Sequence, residues 1–169
     1  MDDAALRDLL RRHAGLIHKI AYAYCRDATD REDVIQEIAV QLWRSRDRYD
    51  PRFRETTWIY RIALNVAISF HRRERRHRGG EPLDEHLLVV EPVEPGDDVR
   101  LLLGCIDALA PLDKALVLLY LDGNDHGSIA EVLGISTSNV GTKLGRIKQR
   151  LRAALAAAAH PPEESHGAR

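Results

Sequence analysis

A chain of 169 residues with net charge −1, 44% hydrophobic and 30% charged residues, is long enough for one large or two small globular domains. No apolar stretch nears the roughly 20 residues that span a bilayer, the start Met1-Asp2-Asp3 is unlike a signal peptide, and two cysteines are too few for a disulfide framework or a four-cysteine zinc site. These features exclude the membrane-spanning and disulfide-stabilised classes and predict a reduced, cytoplasmic protein without membrane insertion.

Apolar residues recur at helical spacing through the first 70 residues, in three successive stripes. The first stripe covers residues 6–24. The second covers 34–43 and follows Thr29–Glu32, a sequence with the pattern of a capping box. A polar loop over Ser45–Glu55 precedes the third stripe, which begins at Trp58 and ends in a basic tract. Three helices or helical segments are therefore predicted before residue 79.

Helical spacing stops at Gly79-Gly80 and returns at Asp97. It restarts at Pro111, a favourable residue for the first turn of a helix, and ends near Gly123. Two further helices are predicted, one ending at Leu133 and the other running from Thr137 to about Ala159. No strand and no internal repeat is predicted.

The predicted fold class is all-α, with two small helical domains joined by an acidic flexible linker and a helix-turn-helix in the second domain. The predicted boundaries are 1–78 for the N-terminal domain, 79–96 for the linker, 97–160 for the C-terminal domain and 161–169 for a tail.

Charge is unevenly distributed along the chain. Residues 51–80 carry a net charge of +6 and residues 136–169 a net charge of +4, whereas residues 81–100 carry −6 and residues 101–135 carry −4. Because local fields decide which ligands a surface attracts, two separate basic regions are predicted within a nearly neutral chain.

The segment Ile129–Ser136 has the pattern of a helix-turn-helix. Ala130 lets two helices cross closely, Gly134 takes the left-handed turn, and Val140 packs the second helix back against the first. Ser136 is the predicted N-cap of that second helix. Its outward face combines short polar groups with cations, which suits reading of a DNA major groove. An ordinary helical hairpin with a solvated basic face is the alternative.

The helix after Trp58 carries the other basic face, which includes Arg61 and Asn65. An asparagine amide can pair with a base edge as donor and acceptor. Tyr49, Phe53 and Trp58 lie nearby in sequence, and aromatic rings beside cations suit unstacked single-stranded bases. Alternatively, Trp58 belongs to the core and the arginine run is a solvated helix end.

In this order, the motifs resemble the bacterial RNA polymerase sigma factors of the extracytoplasmic-function group, over nearly the whole chain. Asp33–Ile38 resembles the helix with which that family binds the polymerase clamp. Thr57–Ala67 resembles its promoter-melting and −10-reading helix, and Ile129–Arg150 is similar to its −35-reading helix-turn-helix. Two positions depart from the family pattern: Gly141 stands where a basic residue is usual and Ser128 where an acidic residue is usual.

The resemblance implies a sigma factor that directs core RNA polymerase to promoters and assists their opening. It implies no enzymatic activity, catalytic residue, metal or cofactor. The implied partners are core RNA polymerase, promoter DNA as duplex and melted strand, and an anti-sigma factor.

The resemblance also assigns residues to each surface. Polymerase binding is expected of Asp33, Gln36, Glu37 and Gln41. Binding of −10 DNA is expected of Tyr49, Phe53, Trp58, Arg61, Asn65, Arg72, Arg73, Arg75 and Arg76. Binding of −35 DNA is expected of Thr137, Ser138, Asn139, Thr142, Lys143 and Arg146.

Two other functions stay open on the residues alone. One is a stand-alone helix-turn-helix regulator that binds DNA as a dimer, although the sequence offers no coiled coil for dimerisation. The other is a helical phosphorelay module with His13 or His18 as phosphoacceptor. A histidine on an apolar stripe, as His13 is, is more often a partly buried polar residue than a nucleophile.

Overall fold

The computed structural model of the chain describes residues 1–77 and 97–159. Eight α-helices lie in these two ranges: α1 Asp3–Arg12, α2 Ala14–Tyr24, α3 Ala28–Ser45, α4 Glu55–His77, α5 Asp97–Asp107, α6 Pro111–Leu121, α7 His126–Leu133 and α8 Thr137–Ala159. A 3-10 turn, Arg46–Arg48, follows α3. No strand occurs in the described ranges, and the predicted all-α class is confirmed. The predicted linker and tail lie outside the described residues.

The first apolar stripe is divided between two helices, α1 and α2, which meet at His13. The His13 N–H donates to the Leu9 carbonyl at 3.0 Å, and the His13 carbonyl accepts from the Ile17 N–H at 3.2 Å. Hydrogen bonding of helical type therefore continues on both sides of the joint. This explains why the apolar spacing carries no sign of the break.

The start of α3 differs from the prediction. Asp27 is the N-cap, because its carboxylate accepts from the Thr29 N–H at 2.8 Å and from the Asp30 N–H at 3.3 Å. These backbone bonds, that of Asp30 first, lower the pKa of Asp27. The predicted capping box over Thr29–Glu32 is wrong, since Thr29 already lies inside the helix.

The N-terminal half is built on α2, α3 and α4, which pack against one another, with α1 against α2 and α3. Large apolar side chains from all three central helices are fully buried, among them Ile20, Ile38, Leu42 and Ile59. Each such side chain contributes about 1.5–3 kcal/mol through burial.

In the C-terminal half, α5, α6 and α7 all pack on α8. Gly134 ends α7 in the left-handed conformation, with φ +66°, and Ala130 and Val140 are buried as predicted for the helix-turn-helix. The Ser136 hydroxyl accepts from the Asn139 N–H at 3.2 Å, which confirms Ser136 as the N-cap of α8.

The two halves are in contact. Helix α4 packs against both α6 and α7, and buried side chains from the two halves belong to one continuous core. Within the described ranges, no helix combines the length and apolarity that a bilayer crossing requires.

Replacing Gly134 by alanine should lower the free energy of unfolding by about 1–2 kcal/mol, because a Cβ is disfavoured in the left-handed conformation. Urea denaturation of the full chain measures this change. Gly104→Ala in α5 is the matched control, since no heavy atom beyond the local helix lies within 4 Å of the added Cβ. That variant should be neutral or more stable by up to about 1 kcal/mol. Equal destabilisation by both substitutions would contradict the role given to the turn.

Candidate nucleic-acid interface

A groove of about 630 Å³ runs between α3 and α4. Its α3 side is polar and acidic, and its α4 side is polar and strongly basic. The residues that line it are Glu37, Gln41, Ser45, Ile62, Asn65, Val66, Ser69, Arg72, Arg73 and Arg76. Four of the predicted −10 residues are thereby brought together. Two of the predicted polymerase-binding residues, Glu37 and Gln41, line the same groove.

The helical period of α4 separates its two faces. Asn65, Arg72 and Arg76 recur seven and four residues apart, so they share one side of the helix. Ile59 and Ala63 on the other side are fully buried. The buried face fixes α4 in the core, and its opposite face presents the basic and amide groups to solvent.

The groove's basic side is exposed. Arg72, Arg73 and Arg76 all lie at the surface, and the Arg73 guanidinium lies 5.9 Å from the centre of the Phe70 ring. Asn65 is exposed, and its amide has no hydrogen-bond partner in the described part of the chain. The Asn65 amide can pair with a base edge without breaking an internal hydrogen bond, and the exposed guanidinium groups can reach phosphates, although the Arg76 Nε also donates to the Arg72 carbonyl at 3.4 Å. The side chain of Arg75, also predicted for this site, lies outside the described residues.

The acidic side of the groove is held by internal hydrogen bonds. The Gln41 amide donates to the Glu37 carboxylate at 2.6 Å, and the Ser45 hydroxyl donates to the Gln41 carbonyl at 2.6 Å. Asp33 and Gln36, by contrast, are exposed. The four residues predicted for polymerase binding are therefore divided between the groove and the outward face of α3.

Two apolar side chains on the outward face of α3 were missed as surface residues. Trp43, placed in a core-facing stripe by its spacing, is 49% exposed, and Val40 is 39% exposed. The Arg46 guanidinium stacks on the Trp43 ring, 4.5 Å from its centre. The sequence does contain a signal for this exposure. Gln36, Val40 and Trp43 recur at four- and three-residue intervals, on the side of α3 opposite the buried Ile38.

The three predicted aromatics do not line the groove: Tyr49 and Phe53 lie in the loop before α4, and Trp58 lies in its first turn. The Tyr49 and Trp58 rings are 5.0 Å apart and tilted by 46°, and Trp58 is half-buried against the core. The Tyr49 hydroxyl donates to the Phe53 carbonyl at 3.2 Å. Phe53 is 50% exposed, so its ring is the one most available for stacking.

Arg61 contacts the other half of the molecule. Although exposed, its guanidinium donates to the Glu131 carbonyl on α7 at 2.6 Å. It shares the groove-facing side of α4 with Asn65, four residues later, but points to protein rather than to open solvent. In this arrangement Arg61 is occupied by the helix-turn-helix half.

On α8, five of the six predicted −35 residues are exposed: Thr137, Ser138, Asn139, Thr142 and Arg146. The sixth, Lys143, turns toward α6, where its ammonium lies 3.7 Å from the Asp113 carboxylate. Arg150 pairs with the same carboxylate at 3.2 Å. The exposed members of the predicted set are therefore four short polar side chains and one cation, Arg146.

The glycine that departs from the family pattern is covered by another side chain. Ring atoms of His126, the first residue of α7, lie 3.7 Å from the point where a Cβ of Gly141 would stand. A side chain from α7 therefore lies beside the part of the α8 surface that Gly141 leaves bare.

Both halves match known sequence families. Residues 9–77 match Sigma-70 region 2, and residues 100–151 match Sigma-70, region 4. These two ranges contain the groove between α3 and α4 and the helix-turn-helix, respectively.

Two relatives are similar over most of this chain. It is 31% identical to the ECF RNA polymerase sigma factor SigE of Mycolicibacterium smegmatis over 157 residues, which are 88% of this chain and 61% of SigE. It is 30% identical to the RNA polymerase sigma factor CnrH of Cupriavidus metallidurans over 165 residues, 89% of this chain and 86% of CnrH. The chain thus spans less than two thirds of SigE but most of CnrH.

Solved structures share the fold. CnrH in complex with the cytosolic domain of CnrY gives a TM-score of 0.68 at 25% identity, covering 92% of this chain and 90% of that one. The sigma factor RpoE of Bartonella quintana, in complex with the anti-sigma factor NepR, gives 0.72 at 16% identity, covering 89% and 96%. With both regions matched in order and a relative aligned over most of both lengths, the chain belongs to the extracytoplasmic-function (ECF) group of the sigma-70 family of RNA polymerase sigma factors.

Proposed function

We propose that the chain is a promoter-specificity subunit that brings core RNA polymerase to a two-part promoter and helps to open it. The observation that carries this proposal is that two surfaces occur in the order typical of sigma factors. The first is the groove in which α4 exposes an amide and arginines, and the second is the polar face of the helix-turn-helix on α8. The polymerase performs the phosphoryl chemistry, and this chain acts in the cytoplasm as a non-enzymatic partner.

In the proposed role, the α4 groove binds the melted −10 strand. The Asn65 amide pairs with an unstacked base, and Arg72, Arg73 and Arg76 bind the adjoining phosphates. Unstacking a base costs a few kcal/mol, which stacking and charge contacts have to offset. Phe53 supplies the most exposed ring for this purpose.

The helix-turn-helix binds the −35 duplex. The short side chains of Ser138, Asn139 and Thr142 face the base edges, and Arg146 binds a phosphate or a guanine edge. Lys143, paired with Asp113, serves this interface less directly than the resemblance implies.

The polymerase-binding surface is proposed to be the outward face of α3. Asp33 and Gln36 are exposed there beside Val40 and Trp43, so charged and apolar groups are available together. This combination of an aromatic anchor with a polar rim is typical of protein interfaces.

An anti-sigma factor is the proposed regulatory partner. CnrH has been solved in complex with the cytosolic domain of CnrY and RpoE in complex with the anti-sigma factor NepR, and both folds resemble this chain. His13 is disfavoured as a phosphoacceptor because it is half-buried and its Nε2 atom lies 3.3 Å from the Glu55 carboxylate, whereas His18, the other candidate, is exposed. A stand-alone helix-turn-helix regulator is disfavoured because its function would not require the groove between α3 and α4.

The proposal as a whole is tested by run-off transcription with bacterial core RNA polymerase on a library of random promoters. The chain should confer start sites that share two sequence elements. Start sites identical with and without the chain would refute the proposed function.

Asn65→Ala should lose discrimination at one promoter position while recruitment of polymerase stays intact. The expected loss is about 1–3 kcal/mol, the usual worth of a base contact. Run-off transcription on a promoter series with each −10 base varied measures it. Ser69→Ala, in the same groove, is the control. A uniform loss at every sequence would show that Asn65 acts structurally instead.

Charge reversal on α3 should separate the two surfaces. Asp33→Arg should weaken polymerase binding roughly tenfold or more, because like charges facing each other across an interface cost several kcal/mol. The same substitution should leave single-stranded DNA binding unchanged. Glu37→Arg should weaken polymerase binding and also tighten single-stranded DNA binding, since Glu37 lines the basic groove. Polymerase pull-down and oligonucleotide anisotropy report the two effects, with Asp8→Arg on α1 as control. An unchanged pull-down for both variants would refute the assignment to α3.

A further inference from the structure

One carboxylate joins the two halves of the molecule. Asp122, which caps the C-terminal end of α6, pairs with the Lys19 ammonium on α2 and accepts a hydrogen bond from the Tyr60 hydroxyl on α4. Its side chain is only 20% exposed. Lys19, Tyr60 and Asp122 are here called the Asp122 latch.

Asp122 has no favourable role within its own helix. A negative charge at a helix C-terminus is repelled by the partial negative charge of the helix dipole. Both strong partners of this carboxylate come from the other half of the chain. Burial, followed by the hydrogen bond to Asp122, raises the pKa of Tyr60, so its hydroxyl remains a donor. The local cost of Asp122 is therefore offset only when the halves are together.

Further hydrogen bonds cross the same boundary. Lys114 is only 6% exposed, and its ammonium donates to the Ala23 carbonyl on α2 at 3.0 Å and to the Asp107 carboxylate at 2.8 Å. The Tyr24 hydroxyl donates to the Pro111 carbonyl at 2.7 Å. These bonds satisfy groups that would otherwise be buried unpaired, and they orient α6 on the N-terminal half.

The contact between α4 and α7 is less complete. Arg61 donates to the Glu131 carbonyl at 2.6 Å, but the Oε1 atom of Glu131 is buried and has no hydrogen-bond partner among the described residues. A buried carboxylate oxygen without a partner destabilises the state that contains it. The closed arrangement, in which α4 packs on α6 and α7, thus combines specific hydrogen bonds with one buried carboxylate oxygen for which the described residues provide no partner.

The closed arrangement is incompatible with binding both promoter elements. By their positions, the −10 and −35 elements are about 25 base pairs apart, or about 85 Å at 3.4 Å per base pair. Helix α4 packs directly on α7, and packed helices have axes only about 8–10 Å apart. The two DNA-binding surfaces therefore have to separate before both elements are held.

We propose that the Asp122 latch is an autoinhibitory contact that holds the helix-turn-helix half against α4 and withholds Arg61 from single-stranded DNA until the halves separate. This inference rests on the proposed function for the role of Arg61 and of the two surfaces. The latch itself is a property of the free chain and can be measured without polymerase.

The first experiment measures closure by energy transfer in the full chain. Dyes are placed on cysteines introduced at Arg7 in α1 and Ala154 in α8, both exposed, in a Cys105→Ser background. Native Cys25 does not compete for dye, because burial raises the pKa of its thiol to about 12. Asp122→Ala and Lys19→Gln should lower the transfer. For Asp122→Ala the open-to-closed ratio should rise roughly tenfold, as expected when a partly buried hydrogen-bonded charge is removed.

The second experiment uses a fluorescein-labelled oligothymidine to measure whether opening makes Arg61 available to single-stranded DNA. Both variants should bind it more tightly than the unsubstituted chain, and Arg61→Ala in the Asp122→Ala background should remove the gain. Lys19→Gln is the sharper variant, since the loss of a positive charge alone would weaken DNA binding. Asp8→Ala is the charge-matched control for Asp122→Ala, because it removes a carboxylate that is paired with Arg12 within α1.

Energy transfer that is unchanged in both latch variants would overturn the proposal, as would lower transfer without tighter oligothymidine binding. Lys19 is on the surface, so its variant keeps the test valid if Asp122→Ala fails to fold. Absence of promoter-specific run-off by the unsubstituted chain would refute the proposed function instead, whereas the energy-transfer result would still report on the latch.

Discussion

The structure depends on how α4 divides its faces. Its 23 residues form a helix about 35 Å long, and the 3.6-residue period sends Ile59, Ala63 and Ala67 into the core while Asn65 and the arginines face the groove. The same helix also supplies Tyr60 and Arg61 to the contact with the C-terminal half. Core packing, nucleic-acid binding and contact between the halves are therefore coupled through one rigid element, and a shift of α4 would change all three.

Polar contacts make the boundary between the halves specific without making it permanent. Apolar burial alone would favour many relative orientations, because it has no direction. Lys114, bound to Ala23 and Asp107, and Asp122, bound to Lys19 and Tyr60, select one orientation. A buried charge gains little net free energy from such pairing, since the loss of hydration nearly cancels it. The boundary is thus well defined in geometry but can open at moderate cost, as the proposed binding to two distant DNA elements requires.

What could be predicted from the sequence is what depends on local spacing. Ala130, Gly134 and Val140 determine the helix-turn-helix through neighbours a few residues away, and the groove face of α4 follows from its period. The misses have tertiary causes. Trp43 fits the apolar stripe of α3, yet it is 49% exposed and the Arg46 guanidinium stacks on its ring. The partnership of Arg61 with Glu131 joins residues 70 positions apart, a relation that no helical period encodes.

The electrostatics of the two halves explain how a chain of net charge −1 presents surfaces suited to DNA. On α6, Asp113 binds Lys143 and Arg150 and so draws two cations of α8 away from its outward face. The outward face of α8 keeps short polar groups with Arg146, a composition better suited to distinguishing bases than to non-specific attraction of phosphates. On α4, by contrast, three exposed arginines line the groove, and Glu37 is the one acidic residue among the residues that line it. The stronger positive field therefore lies at the groove proposed to hold the melted strand, and the weaker one at the face proposed to read the duplex.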